Sequence, residues 1–263
     1  MIPPLALVPA AAAELIALTV PARGQVHLRL VSLSCNAHEL ERLQGFLTED
    51  ELQRCTRLID PERRDRAIAG RGLLRELLAG YLGEKPEELL LSEGEFGKLH
   101  LSDHLESDSL SFNLSHAGNH LLLAVCVGCE VGVDLELVRE DLDFRPMAER
   151  YFSERERREL FSLPQEEQRA AFYRCWTRKE AYLKGTGTGF SQPANAFDVS
   201  LLPQHPPQLL EHRGAPAEVE RWSIRDIVLP GEYCGAVAME GENLELKTFF
   251  ATETRSTPRK SKP

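Results

Sequence analysis

The chain has 263 residues, a formal net charge of −10 and 42% hydrophobic residues, enough for a sizeable core in one large domain or two smaller ones. The acidic balance argues against general nucleic-acid binding, although not against a local basic patch. No apolar run approaches the ~20 residues needed to span a bilayer.

The first residues are apolar, but they lack a basic start and carry Pro3, Pro4 and Pro9. They read as a loose arm, not a secretory signal. Residues 25 to 34 alternate apolar and polar, as a strand does. His38 to Leu47 has the pattern of a short helix. Thr48 and Glu51 stand at capping-box spacing and open a helical stretch crowded with arginines, which ends at Gly83. Its polar face is strongly basic, and solvated ion pairs and an anion site are equally good accounts of it. Leu89 to Leu91 is a short strand candidate, and Glu93 to Lys98 a loop. Ser109 to Leu114 and His120 to Val127 form a hairpin around a turn at Ser115-His116-Ala117-Gly118. Glu130 to Gly132 leads into another strand. Met147 to Leu163 is helical, with a restart at the Ser153/Glu156 capping box, and Pro164 stops it. A second long helix covers Gln165 to Lys184, and the glycines after it are a cap and loop. Strands follow at 196 to 201, 220 to 229 and 233 to 239. Residues 252 to 263 read as a disordered tail.

The order strand, helix, long helix, strands occurs twice, with no residue-level repeat. Class α+β with antiparallel sheets is expected. Six cysteines at 35, 55, 126, 129, 175 and 234 form no secreted disulfide framework, so a reducing cytoplasm is the expected setting. Cys126 and Cys129 make a CxxC inside an apolar run with no second pair at zinc spacing, and both read as buried packing residues.

Chemistry concentrates in two stretches. Within Val131-Gly132-Val133-Asp134-Leu135-Glu136, a strand would put Asp134 and Glu136 on one side and the apolar residues on the other. Within Trp176-Thr177-Arg178-Lys179-Glu180-Ala181-Tyr182-Leu183-Lys184, a helix would stack Glu180 and Lys184 on one face, near Trp176. Three carboxylates beside a lysine would suit a hard cation and a phosphate. Taken alone, the strand pair could equally be a surface pair, and Glu180–Lys184 an ordinary helix ion pair. His116 could be a turn histidine or a phosphate contact.

Together these stretches resemble the signature of Sfp-type 4′-phosphopantetheinyl transferases, (I/V)G(I/V)D followed by W-x-x-K-E-x-x-x-K. Phe112-Asn113-Leu114-Ser115-His116-Ala117-Gly118 is similar to a third family block, FN(I/L)SH(S/A/H)G, and Arg71 in AGRGLLR to a fourth. The likeness runs from about Phe46 to Val199. It departs at Gly97-Lys98-Leu99, where many members have Gly-Lys-Pro.

The resemblance implies transfer of the 4′-phosphopantetheine arm of coenzyme A to a serine of an apo acyl or peptidyl carrier protein, releasing adenosine 3′,5′-bisphosphate. It implies Mg²⁺ on Asp134, Glu136 and Glu180, with Lys184 on the transferring phosphate. Glu180, or a water on the metal, would be the base. Arg54, Arg71, Ser115 and His116 would bind coenzyme A. The implied fold is α+β: two pseudo-twofold-related halves, each an antiparallel sheet packed with a long helix, and the site in the cleft between them. Residues 1–128 would form the coenzyme A-binding half, and 129–251 the half with the metal site and carrier docking. A cytoplasmic monomer with no nucleic-acid or membrane partner is expected. The arginines at 145, 150, 155, 157 and 158 would dock an acidic carrier. A metal-dependent pyrophosphate hydrolase and a non-catalytic coenzyme A- or carrier-binding module are the alternatives.

Overall fold

Strand alternation builds two cores from one set of strands. In the computed structural model, which describes residues 18–102, 109–242 and 244–250, strand β1 (Gln25–Ser32) buries Val26, Leu28 and Leu30 on one face. Its neighbour β5 (His120–Val127) does the same with Leu122, Ala124 and Cys126, and sends Leu121, Leu123 and Val125 to the opposite face. That opposite face is covered by helices α1 (Ala37–Gln44) and α3 (Pro61–Leu82). The first sheet also includes β4 (Leu110–Ala117) and β11 (Glu245–Phe250), in the order β11-β1-β5-β4.

The second sheet has the order β6-β10-β9, from Val131–Leu137, Tyr233–Glu240 and Trp222–Asp226. Val131, Val133 and Leu135 of β6 and Val237 and Met239 of β10 close the core shared with the first sheet. Ala236, Ala238 and Ile224 point the other way, into a core with helix α6 (Gln165–Thr186). The layers thus run helix, sheet, sheet, helix. Helices α4 (Arg145–Tyr151) and α5 (Glu154–Ser162) and the short pair β7 (Phe197–Val199) and β8 (Leu209–His212) enclose α6 further. A turn of helix, α7 (Glu218–Arg221), leads into β9.

This is the expected α+β class, with a long helix on each sheet. Both predicted capping boxes form, at Thr48/Glu51 and Ser153/Glu156, and Gly83 caps its helix in the left-handed region (φ 71°). Four details differ. The arginine-rich stretch is two helices, α2 (Glu49–Thr56) and α3, because Asp60 caps a fresh start whose first residue is Pro61. Ser115, His116 and Ala117 belong to β4, and the turn sits at Gly118 (φ 53°) and Asn119. Residues around the predicted loop at 93–98 form a small hairpin of β2 (Leu91–Glu93) and β3 (Leu99–Leu101). The last strand, β11, pairs in parallel with β1, so the first sheet takes an edge strand from the end of the chain. The expected tail and most of the expected N-terminal arm lie outside the described residues.

The edges β4 and β6 meet at a seam. Asn113 on β4 accepts the backbone N–H of Val133 on β6 at 2.9 Å, which joins the sheets where neither strand has another partner on that side. Helix α6 lies against β6 so closely that a Cβ on Gly132 would collide with the carbonyl of Ala181 and the N–H of Gly185. Replacing Gly132 with Ala must push α6 off the strand. Gly132→Ala is expected to lower stability by about 1–3 kcal/mol, the usual range for overpacking, measured by urea unfolding against the unaltered protein.

Candidate active site

The alternation that buries Val133 and Leu135 between the sheets turns Gly132, Asp134 and Glu136 toward α6. Strand and helix run past each other in opposite directions. Gly132 therefore faces Gly185, Asp134 meets Lys184, and Glu136 meets Trp176.

Asp134 is 3% exposed. Its Oδ1 accepts from Lys184 Nζ at 2.7 Å and from Ser115 Oγ at 3.1 Å. Lys184 also donates to Ser115 Oγ at 2.9 Å. The other carboxylate oxygen, Oδ2, is buried without a hydrogen-bond partner. Glu136 Oε1 accepts from the indole N–H of Trp176 at 3.1 Å. The indole is held by Phe172, stacked at 6.1 Å, and by Tyr151, edge-on at 5.4 Å.

Glu180 is pushed up to about 7, first by burial and then by the charge of Asp134, with Glu136 adding and Lys184 opposing. Burial and Asp134 also raise Glu136, against the pull of Trp176 and Lys184. The site therefore holds more negative charge than its own donors compensate.

These residues line a cleft of about 540 Å³, together with Phe96, Lys98, Leu99 and His116. His116 is exposed at its rim and also lines an adjoining cavity of about 600 Å³ that carries Arg63, Arg66 and Arg71. A third hollow, about 440 Å³, is lined by Arg54, Arg71, Arg75, Glu51 and Glu93. Leu99 lines all three. Asp134, Glu136, Glu180, Lys184, Ser115 and His116 thus share one cleft. Arg71 reaches the cavity next to it, and Arg54 stands one hollow further on. Arg54 is paired with Glu93, and Arg71 Nε lies 3.7 Å from Glu51.

Among the described residues, no three Asp, Glu, His or Cys side chains stand at metal-ligand spacing. Lys184 and Ser115 occupy one oxygen of Asp134, and Trp176 holds one of Glu136. The donors nonetheless fit a hard divalent cation. Such an ion needs only one or two protein carboxylates and keeps several waters. The orphaned Asp134 Oδ2 and the two raised carboxyls are the features it would relieve.

Two family models cover most of the chain. Residues 130–238 match the 4′-phosphopantetheinyl transferase superfamily, and residues 34–128 match "4′-phosphopantetheinyl transferase, N-terminal". The 4′-phosphopantetheinyl transferase HetI of Nostoc sp. is 39% identical over 217 residues, spanning 82% of this chain and 88% of that protein. This chain belongs to the 4′-phosphopantetheinyl transferase family. The transferase Sfp of Bacillus subtilis is 29% identical over 164 residues, 62% of this chain and 70% of that one. Overlap with the Thermotoga maritima holo-[acyl-carrier-protein] synthase structure is slight: TM-score 0.32, 21% identity, 45% of this chain and 64% of that one.

In this transferase-family chain, several residues differ from their expected surroundings. Lys184 pairs across the seam with Asp134, not along the helix with Glu180. Trp176, placed near the Glu180–Lys184 face from sequence, donates to Glu136. Arg178 and Lys179, given no role from sequence, are each 1% exposed. Arg178 clasps Asp226 at 2.6 and 2.8 Å. Lys179 donates to Glu156 Oε1 and to the carbonyl of Phe197, both at 2.7 Å. Two adjacent cations set between Cys175-Trp176 and Ala181-Tyr182 were the available signal, since buried cations must be paired.

A Glu raised in the folded state sets the sign of a pH effect. The unfolded chain releases that proton near 4.5 and the folded one near 7. Stability should therefore fall as pH rises through that window, then level off. Thermal melts across the window should show this slope, and Glu180→Gln should flatten it. If Mg²⁺ is held by these carboxyls, adding it should raise the melting temperature more at pH 8 than at pH 5.5, because the carboxyls are then ionised.

Proposed function

We propose that this protein transfers the 4′-phosphopantetheine arm of coenzyme A to a serine of an apo acyl or peptidyl carrier protein, at the seam between β4, β6 and α6. The observation that carries this reading is the Lys184–Asp134–Ser115 contact, flanked by two carboxyls raised by burial. It joins one cation to several oxygen donors in a half-closed cleft, the arrangement a diphosphate needs.

Asp134, Glu136 and Glu180 would hold Mg²⁺. When bound, that ion would neutralise pyrophosphate oxygens and favour phosphoryl transfer. Lys184 would lean from Asp134 toward the transferring phosphate. Ser115 and His116 would contact coenzyme A phosphates from the β4 side, with Arg71 and Arg54 further along the connected hollows. Glu180 would accept the proton of the carrier serine. Trp176 fixes one oxygen of Glu136, so that carboxylate keeps its orientation as charge moves nearby.

The carrier would approach over α4, where Arg150 lies over the ring of Tyr151, itself edge-on to Trp176 in the cleft wall. Of the five arginines expected to dock it, Arg155 and Arg158 are partly neutralised by Glu159 and Glu154. Arg145 lies over Phe161, and Arg157 donates to the carbonyl of Glu149. Among the described residues, Arg145, Arg150 and Arg157 have no carboxylate ion-pair partner, which leaves them to meet an acidic partner. Among the described residues, no helix is long and apolar enough to cross a membrane; action as a cytoplasmic monomer is part of this proposal.

The test is incubation with coenzyme A, Mg²⁺ and a panel of apo carriers, read as the mass gain on the carrier serine. No modified carrier, or pyrophosphate cleavage with no carrier present, would count against the reading. Glu180→Gln should lower kcat by about 10²-fold or more, on the scale of lost acid–base help, while coenzyme A still binds. Reversing Arg150 and Arg157 to Glu should raise the carrier KM about tenfold, as lost rim charges slow association, and leave the coenzyme A KM alone.

A further inference from the structure

Lys98 lies in the wall of the cleft, yet its ammonium is turned onto the protein. It sits in the β2–β3 hairpin loop of the first half, where the backbone folds back through Gly94 N–H to Lys98 O at 2.8 Å. Its Nζ donates to Glu130 Oε2 at 2.5 Å and to the carbonyl of Gly185 at 2.8 Å. The side chain is 8% exposed. Its stem passes under the helix cap, with Cδ 3.3 Å from where a Cβ on Gly187 would stand.

Gly185 is in the last turn of α6, directly after Lys184. Its carbonyl is among the last four, which lack a partner inside the helix. A cation there satisfies that oxygen and complements the helix dipole. The same turn is confined on other sides. A Cβ on Gly185 would meet the Trp222 ring at 2.6 Å and the N–H of Gly132 at 3.3 Å. Glu130 fixes the clasp from the turn between β5 and β6, and its own N–H donates to Glu240 at 3.1 Å. Two of the three ammonium protons are thus committed to the protein.

We propose that Lys98 is a positioning residue. With Glu130 it clasps the C-terminal turn of α6 to the first half, and so holds Lys184 against Asp134 and Ser115. Its effect on turnover rests on the transferase reading; the clasp itself does not. Loss of either partner lets the last turn loosen, and Lys184 is one residue from the released carbonyl.

The test compares Lys98→Met, Glu130→Gln, the double variant and Lys98→Arg. Hydrogen exchange over residues 180–187 is followed without substrate, and kcat and KM are then measured with coenzyme A and an apo carrier. Both single variants should speed exchange of the Gly187 amide about tenfold, the mark of local opening. Both should lower kcat about tenfold with the coenzyme A KM within about twofold, since small misplacements act on the reacting geometry. The double variant should be no worse than Lys98→Met, and Lys98→Arg should recover part of both losses. Glu130→Gln removes only a charge from a half-exposed side chain, so the test does not hinge on Lys98→Met folding. Unchanged exchange in both single variants overturns the proposal. So does a raised coenzyme A KM in Lys98→Met with Glu130→Gln like the unaltered protein, the pattern of a direct phosphate ligand. Exchange is read with no substrate, so the clasp can fail while carrier modification stands, and the reverse.

Discussion

Everything in the cleft depends on how closely one helix approaches one strand. Gly132 and Gly185 remove the side chains that would hold α6 and β6 apart. Only at that separation can Lys184 reach Asp134 and Trp176 reach Glu136. The helix is then surrounded, and its charged residues must find partners inside the protein. Arg178 and Lys179 do so with Asp226 and Glu156. Buried pairs of this kind add little to net stability, but removing one partner is costly. They fix how α6 is rotated, and so decide that Glu180 and Lys184 face the cleft.

The cleft is left electrostatically incomplete by the same packing. Three carboxyls and one ammonium are drawn together, and burial raises two of the carboxyls. A protein selected only for stability would replace such a group with apolar residues. Here the imbalance matches what a cation and a diphosphate would bring with them. The connected hollows with His116, Arg71 and Arg54 extend the positive potential away from the acids. A long anionic ligand would thus meet acids at one end and arginines at the other.

Much of this was legible in the sequence, for local reasons. Alternation along Val131 to Glu136 put both acids on one side without any knowledge of neighbours. Capping boxes at Thr48 and Ser153 and the glycine after Leu82 follow rules that involve only a few residues. Misreadings arose where a distant element took over. Spacing left a Glu180–Lys184 ion pair open as an alternative, and the fold instead brings Asp134 and Ser115 to Lys184 from two separate strands. Ser115 to Ala117 looked like a turn but gain strand pairing from β5. The break at Asp60-Pro61 was a local signal, masked by the run of arginines around it. The roles of Arg178, Lys179 and the indole of Trp176 required knowing what lay behind the helix.

The parallel strand β11 has a consequence for how the chain becomes a protein. Its register pairs Gln25 with Glu245 and Leu30 with Phe250. The first sheet therefore waits for residues synthesised at the far end of the chain. While a nascent chain emerges from the ribosome, β1 has its antiparallel partner β5 but still offers a bare edge. Non-local pairing of this kind slows folding, and an open edge is a place where two chains can join wrongly. The closing strand thus acts as a late seal that ties completion of the first sheet to synthesis of residues 245–250.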